Sequence, residues 1–245
     1  MLDAMATAER HVFSHGMRDT RAALADWNRA PWRALREWVP VSVAVAAALL
    51  AAVWLVAGLL TPDLTPVRIP GFTEPARPGD MAPILWRNSL VLALHGTACV
   101  AGFIAGASMP IAAAQRTGLS RRLQIEAGRF AILFVTAVTL FSLATQALYL
   151  GLQCATISHQ LGISRGALIA SVLPHALPEL TALFLPLAAW LVAGRRGEWN
   201  RLLAATFATV ALACPVLLAT AALEVWLWPQ LLDLLGASQP TLRPL

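Results

Sequence analysis

A chain of 245 residues that is 58% hydrophobic and only 13% charged is too apolar for a soluble globular domain. Its net charge of +5 comes from arginine alone, since it contains no lysine. The arginines lie in the connections between apolar runs rather than on a basic, aromatic-bearing soluble face, which excludes nucleic acid as a partner.

Five runs reach the ~20 apolar residues that a helix needs to cross a bilayer: Val39–Leu60, Ser89–Ala113, Phe130–Leu152, Pro174–Ala193 and Leu202–Trp228. Backbone amides cannot stay unpaired in lipid, and the alternation of a membrane barrel is missing. The expected fold is therefore all-α, a polytopic membrane helix bundle of about five transmembrane helices. Residues 1–37 form a cytoplasmic amino-terminal segment, 38–230 the transmembrane domain and 231–245 a short tail.

Along the chain, Leu24, Trp27, Pro31, Leu35 and Trp38 recur at helical spacing among Arg18, Arg21, Arg29 and Arg33. That pattern suits an interfacial helix, broken at Pro31, on an anionic leaflet. It reads as a membrane-surface anchor, with a partner-docking site as the alternative. The first apolar run begins too late for a cleavable leader and is long enough to remain as an anchor. The connection Thr61–Pro83 holds six prolines, which predicts an extended, stiff loop.

Span two carries Ala98, Gly102, Gly106 and Pro110 at intervals of four. This small-residue stripe predicts helix packing, with Gly102 and Gly106 admitting a neighbouring backbone. His95 falls about seven residues, roughly 10 Å, inside that span as drawn from the hydropathy. Residues 115–129 and 153–165 read as polar connections. Gly166–Leu173 is too short to cross, and Pro174 is expected to separate it from span four as a broken or re-entrant piece. Cys214-Pro215 predicts a kink in span five. Cys99, Cys154 and Cys214 are too scattered for a disulfide framework or a thiolate site.

Thirteen of the eighteen arginines fall in the amino-terminal segment and the two connections on its side of the membrane, and five on the other. The positive-inside bias thus orients the chain with a cytoplasmic amino terminus, and the expected location is the bacterial inner membrane.

The intramembrane polar residues agree in expected depth. His175 and Glu179, four apart, share a helix face at the start of span four; Glu224 lies near the end of span five, and His95 and Gln146 belong to the same ends of spans two and three. Ionisable groups inside a membrane face protein or a cavity and are commonly functional. Three readings compete: a structural hydrogen-bonded knot, a polar cavity or gate, and a metal site on His95, His175, Glu179 and Glu224. No His-Glu-x-x-His, nucleophile elbow or phosphate-binding loop is present, so no catalytic residue, metal or cofactor is expected.

Leu173-Pro-His-Ala-Leu-Pro-Glu-Leu180 resembles the Pro-His-Gly-x-x-Glu segment of the stage II sporulation protein M family, with Ala176 in place of its glycine and Pro178 added. Trp86-Arg-Asn-Ser-Leu-Val-Leu-Ala-Leu94, followed by Gly102 and Gly106, is similar to that family's Asn-led second helix. Ala222-Leu-Glu-Val-Trp-Leu-Trp-Pro229 is similar to its closing Glu…Pro segment, and together the matches cover residues 85–230. The resemblance implies a non-catalytic multi-span protein, a membrane scaffold or assembly component of a cell-envelope complex. The alternative is a permease-like exporter subunit working with a separate ATPase. The expected partners are the lipid bilayer and other membrane or envelope proteins, with homo-oligomerisation left open.

Overall fold

The computed structural model describes residues 17–114 and 117–237. Arg10, Arg116 and Arg243, with the first part of the amino-terminal segment and the end of the tail, lie outside the described residues.

Among the described residues every regular element is helical, apart from one isolated bridge, Pro70 to Glu74. Helix α1 covers residues 17–29. After a break at Ala30 the chain enters α2, Pro31–Ala57. Pro31 thus stands at the first helical position, where its missing N–H has no partner to lose. The expected break is there, but residues 31–37 belong to the same helix as the first span. Then follow α3 (Met81–Phe103), a π turn (Ile104–Ser108), α4 (Met109–Ala114), α5 (Gly118–Leu161), α6 (Arg165–Arg196), α7 (Leu202–Trp226) and α8 (Trp228–Leu234). Five helical stretches are long and apolar enough to cross a membrane.

Several expected boundaries shift: α3, α5 and α6 extend outward, while α2 ends at Ala57 and α7 at Trp226, a few residues early. α3 starts at Met81, because Asp80 accepts the Arg77 N–H at 2.7 Å and caps the turn that opens the helix. α5 runs for 44 residues, ~66 Å, and absorbs most of both polar connections. Its added ends are built from helix formers, and Arg129 pairs with Glu126 one turn back at 3.0 Å. It stops at Gly162, whose φ of 67° is the left-handed C-terminal cap, with Ile163 N–H reaching back to the Ser158 carbonyl at 3.1 Å.

The expected interruption before span four is not found. Residues 165–196 form one continuous helix through Pro174, Pro178 and Pro186. Each proline deletes one rung, but in a dry setting abandoning the helix would expose many more backbone groups than it frees. Nor does Cys214-Pro215 end α7, which breaks instead at Leu227, before Pro229.

The chain divides into two compact units, and each long helix contributes to both. Unit 1 comprises residues 1–42, 92–140 and 184–212. Its core sets Trp38 on Leu185, Ala188, Ala189 and Ala205, with Trp27 edge-on to Trp38 at 5.0 Å. Here the π turn precedes Pro110, which has no N–H to give the Gly106 carbonyl; the Met109 N–H bonds to Ile104 instead. The small-residue stripe therefore meets indole rings and not a helix backbone. A Cβ on Gly102 would lie 2.6 Å from Trp190 Nε1, and one on Gly106 would collide with Trp199. Arg196 closes on Glu37 at 2.7 Å.

Unit 2 comprises residues 43–91, 141–183 and 213–245. Ile84, Ala221 and Val225 form its buried centre. Of the expected extended connection Thr61–Pro83, residues 61–77 are irregular with a turn at 71–73, whereas 78–83 are helical; the irregular part is strapped to α5. Gln160 Nε2 donates to the Asp63 and Thr65 carbonyls at 3.0 and 2.8 Å, while its Oε1 accepts Val67 N–H at 3.0 Å. Asp63 N–H bonds Thr156 Oγ1 at 3.0 Å. Gly71, with φ of 81°, sits so close to Pro229 that a Cβ would meet it at 2.7 Å.

Candidate functional site

Helical periodicity assembles the site in unit 2. On α3, Ile84, Arg87, Asn88 and Val91 fall at i, i+3, i+4 and i+7, one face of the helix. On α5 the same spacing gives Gln146, Tyr149, Leu150, Gln153 and Ile157. On α6 it gives Leu168, Val172, His175, Ala176, Glu179 and Leu183. These three faces, with Leu50 and Val53 of α2, Val67–Pro70 of the strapped loop, Glu224 of α7 and Trp228 of α8, surround a cavity of about 880 Å³. Most of its wall is aliphatic, and the polar groups are interspersed on it.

Of the residues singled out from the sequence, His175, Glu179, Glu224 and Gln146 line this one cavity. His95 does not. It belongs to unit 1, where it is fully buried edge-on to Phe184, ring centroids 5.3 Å apart. The reason is the early start of α3: fourteen residues separate His95 from Met81, ~21 Å along the helix instead of the ~10 Å expected. Gly102 and Gly106 also lie in unit 1 and take no part.

The polar lining residues not picked out from the sequence as site residues are Arg68, Asp80, Arg87, Asn88, Thr145, Tyr149 and Gln153. Arg87 and Asn88 precede the apolar run as read from hydropathy, and only the resemblance over Trp86–Leu94 sets them on the second helix, with no role attached. The i, i+3, i+4, i+7 repeat with Ile84 and Val91 was the signal that could have placed them.

The local contacts are specific. His175, 6% exposed, lies 6.1 Å from the Trp228 ring. Trp228 Nε1 donates to Ser171 Oγ at 3.0 Å, and that hydroxyl donates to the Leu168 carbonyl at 2.7 Å. Gln146 Nε2 donates to Ser142 Oγ at 3.1 Å. Asn88 and Thr220 stand beside the Glu179 carboxyl group, and Glu224 and Arg87 are within electrostatic reach of it. Yet Glu179 Oε2 and Asn88 Nδ2 are buried without a partner at bonding geometry. Among the described residues no hydrogen bond or ion pair joins His175 to either glutamate, or Arg87 to them. Nor do three His, Cys, Asp or Glu side chains gather as a metal site requires.

The arrangement is a hollow with spare donors and acceptors, rather than a closed network. It can hold a ligand that brings complementary groups. Comparison of the chain with protein-family models, curated proteins and solved structures gives no match.

Proposed function

We propose that this chain is a non-catalytic integral membrane protein that serves as an assembly component of a cell-envelope complex, with the unit 2 cavity as its binding chamber. The family resemblance to stage II sporulation protein M supports the envelope role. The chamber rests on one observation: the buried Glu179 Oε2 and Asn88 Nδ2 are left without partners in a cavity large enough to accept them. A purely structural knot is stable when each member satisfies another, and a half-satisfied one is worse than an apolar core. Groups kept in that condition are kept for something that binds.

In this reading the chain sits in the bacterial inner membrane with its amino terminus in the cytoplasm. Of the fifteen arginines among the described residues, eleven fall within the segments of unit 1, which supports that orientation. The test is affinity purification of the tagged chain from native membranes, wild type against Glu179→Gln. Because glutamine keeps an oxygen acceptor for the Asn88 and Thr220 groups beside the carboxyl, the variant keeps its thermal midpoint while co-purification of envelope proteins falls. Loss of folding with the substitution would support the knot instead. Unchanged co-purification would refute the chamber.

A second reading, a permease-like exporter subunit, is favoured by the cavity volume, which lies within the range of small-molecule sites. Stimulation of a co-reconstituted ATPase would establish it.

A further inference from the structure

This inference rests on the chamber reading and names its occupant. We propose that the unit 2 cavity binds a zwitterionic amphiphile, with an ammonium group held by Glu179 and Glu224, an adjacent anionic group held by Arg87, and an apolar chain laid along the aliphatic wall.

The deepest polar groups are acceptors. Glu179 Oε2 is buried without a partner at bonding geometry, with Asn88 and Thr220 beside the same carboxyl group, Glu224 lies within its electrostatic reach, and buried His175 adds an imidazole to the same wall. An ammonium offers three N–H donors and suits two carboxyl groups and an imidazole lone pair together. A charge-assisted bond of this type is stronger than a neutral one.

Two cations line the wall, Arg68 of the strapped loop and Arg87 of α3, and of the two it is Arg87 that acts on the glutamates. Arg87 is exposed, reaches both glutamates electrostatically and pairs with neither; its Nε donates to the Pro83 carbonyl at 3.3 Å. The remaining guanidinium N–H groups are left for an anion, a task for which their fork geometry suits them. The unpartnered Asn88 Nδ2, one residue along α3, can donate to the same anion or to an ester carbonyl beside it. The buried glutamates and the exposed Arg87 set the order of the ligand's charges: ammonium first, anion second. Asp80, Thr145, Gln146, Tyr149 and Gln153 also line the wall, but most of it is apolar, with Leu50, Val53, Val91, Leu150 and Ile157 providing the surface for a chain. A simple cation would leave Arg87 and Asn88 unmatched, and a simple anion would face the two glutamates.

A phosphoethanolamine lipid headgroup and a free zwitterion of the same chemistry both meet this description. The purified full chain is delipidated in detergent, offered an equimolar mixture of phosphatidylethanolamine, phosphatidylcholine and phosphatidylglycerol, and the retained lipids are counted by mass spectrometry. Phosphatidylethanolamine is enriched about tenfold over phosphatidylcholine, whose quaternary nitrogen has no N–H to donate, and more over phosphatidylglycerol. Glu179→Gln and Glu224→Gln each reduce that enrichment about tenfold, and Arg87→Gln lowers retention of both zwitterionic lipids alike.

Should the variants fail to fold, soluble O-phosphoethanolamine is titrated against lipid on the wild type. Competition supports the assignment, and binding without lipid identifies a free zwitterion as the source. Equal retention of the three lipids, preference for phosphatidylglycerol, or absence of competition would overturn it. If lipid selectivity is missing while Glu179→Gln still abolishes co-purification, only the ligand class falls. If neither depends on Glu179, the chamber itself falls.

Discussion

Ser171 and Glu179 show how differently two polar side chains on one helix can be held. Ser171 Oγ accepts from Trp228 Nε1 and donates to the Leu168 carbonyl, so both ends of the hydroxyl are used. Ser171→Ala leaves a buried indole N–H without a partner, which costs about 1–3 kcal/mol, read as a lowered thermal midpoint in detergent. Glu179→Gln keeps an oxygen acceptor beside Asn88 and Thr220 and lowers stability by less than about 1 kcal/mol in the same assay. Gly106→Ala, by contrast, drives a methyl into the Trp199 indole and costs about 1–3 kcal/mol. His175 and Glu179 were legible in the sequence because i, i+4 spacing is a local property of any helix. Arg87 and Asn88 were not, because polar residues at the end of a span lower the very hydropathy by which the span is recognised.

The straps on the 58–77 connection lead to predictions for that segment as a unit. Gln160 alone makes three backbone bonds to it. Gln160→Ala should speed amide exchange at Val67 severalfold while leaving exchange in α5 unchanged, and equal exchange would show that the proline content alone holds the loop. Asp63 adds a pH dependence. The Thr65 N–H donates to its Oδ1 at 2.9 Å and holds the carboxyl below the ordinary carboxylate range. A depressed value in the folded state means the contribution is present above the unfolded value and fades as pH falls through the folded one. Protection of the Thr65 amide, its exchange relative to an unstructured amide at the same pH, should therefore fall on strong acidification and stay constant through neutrality. The boundaries of α3, α5 and α6 were the least legible features. Hydropathy reports which residues avoid water, whereas helix length follows propensity, capping and the cost of unpaired backbone.

Five apolar helices make this a membrane protein by length and composition, and that much was readable from hydropathy before any coordinates. What the apolar runs could not show is that α5 is the least enclosed of the spans and α6 the most. The same composition serves lipid-facing and protein-facing surfaces. The proposed orientation gives a direct expectation. A cysteine introduced at Arg122 reacts with a membrane-impermeant thiol reagent only after cells are opened, and one at Glu74 reacts in intact cells. The reverse pattern would invert the topology.

The chamber is tested most directly by solvent access to its wall. Ala176 lies on the α6 face between His175 and Glu179 and carries no charge whose loss would confuse the result. In an Ala176→Cys variant, a small polar thiol reagent should label the folded, purified protein well above the wild-type level set by its own three cysteines. Labelling indistinguishable from wild type, in a variant that keeps its thermal midpoint, would show that the polar groups enclose no accessible space.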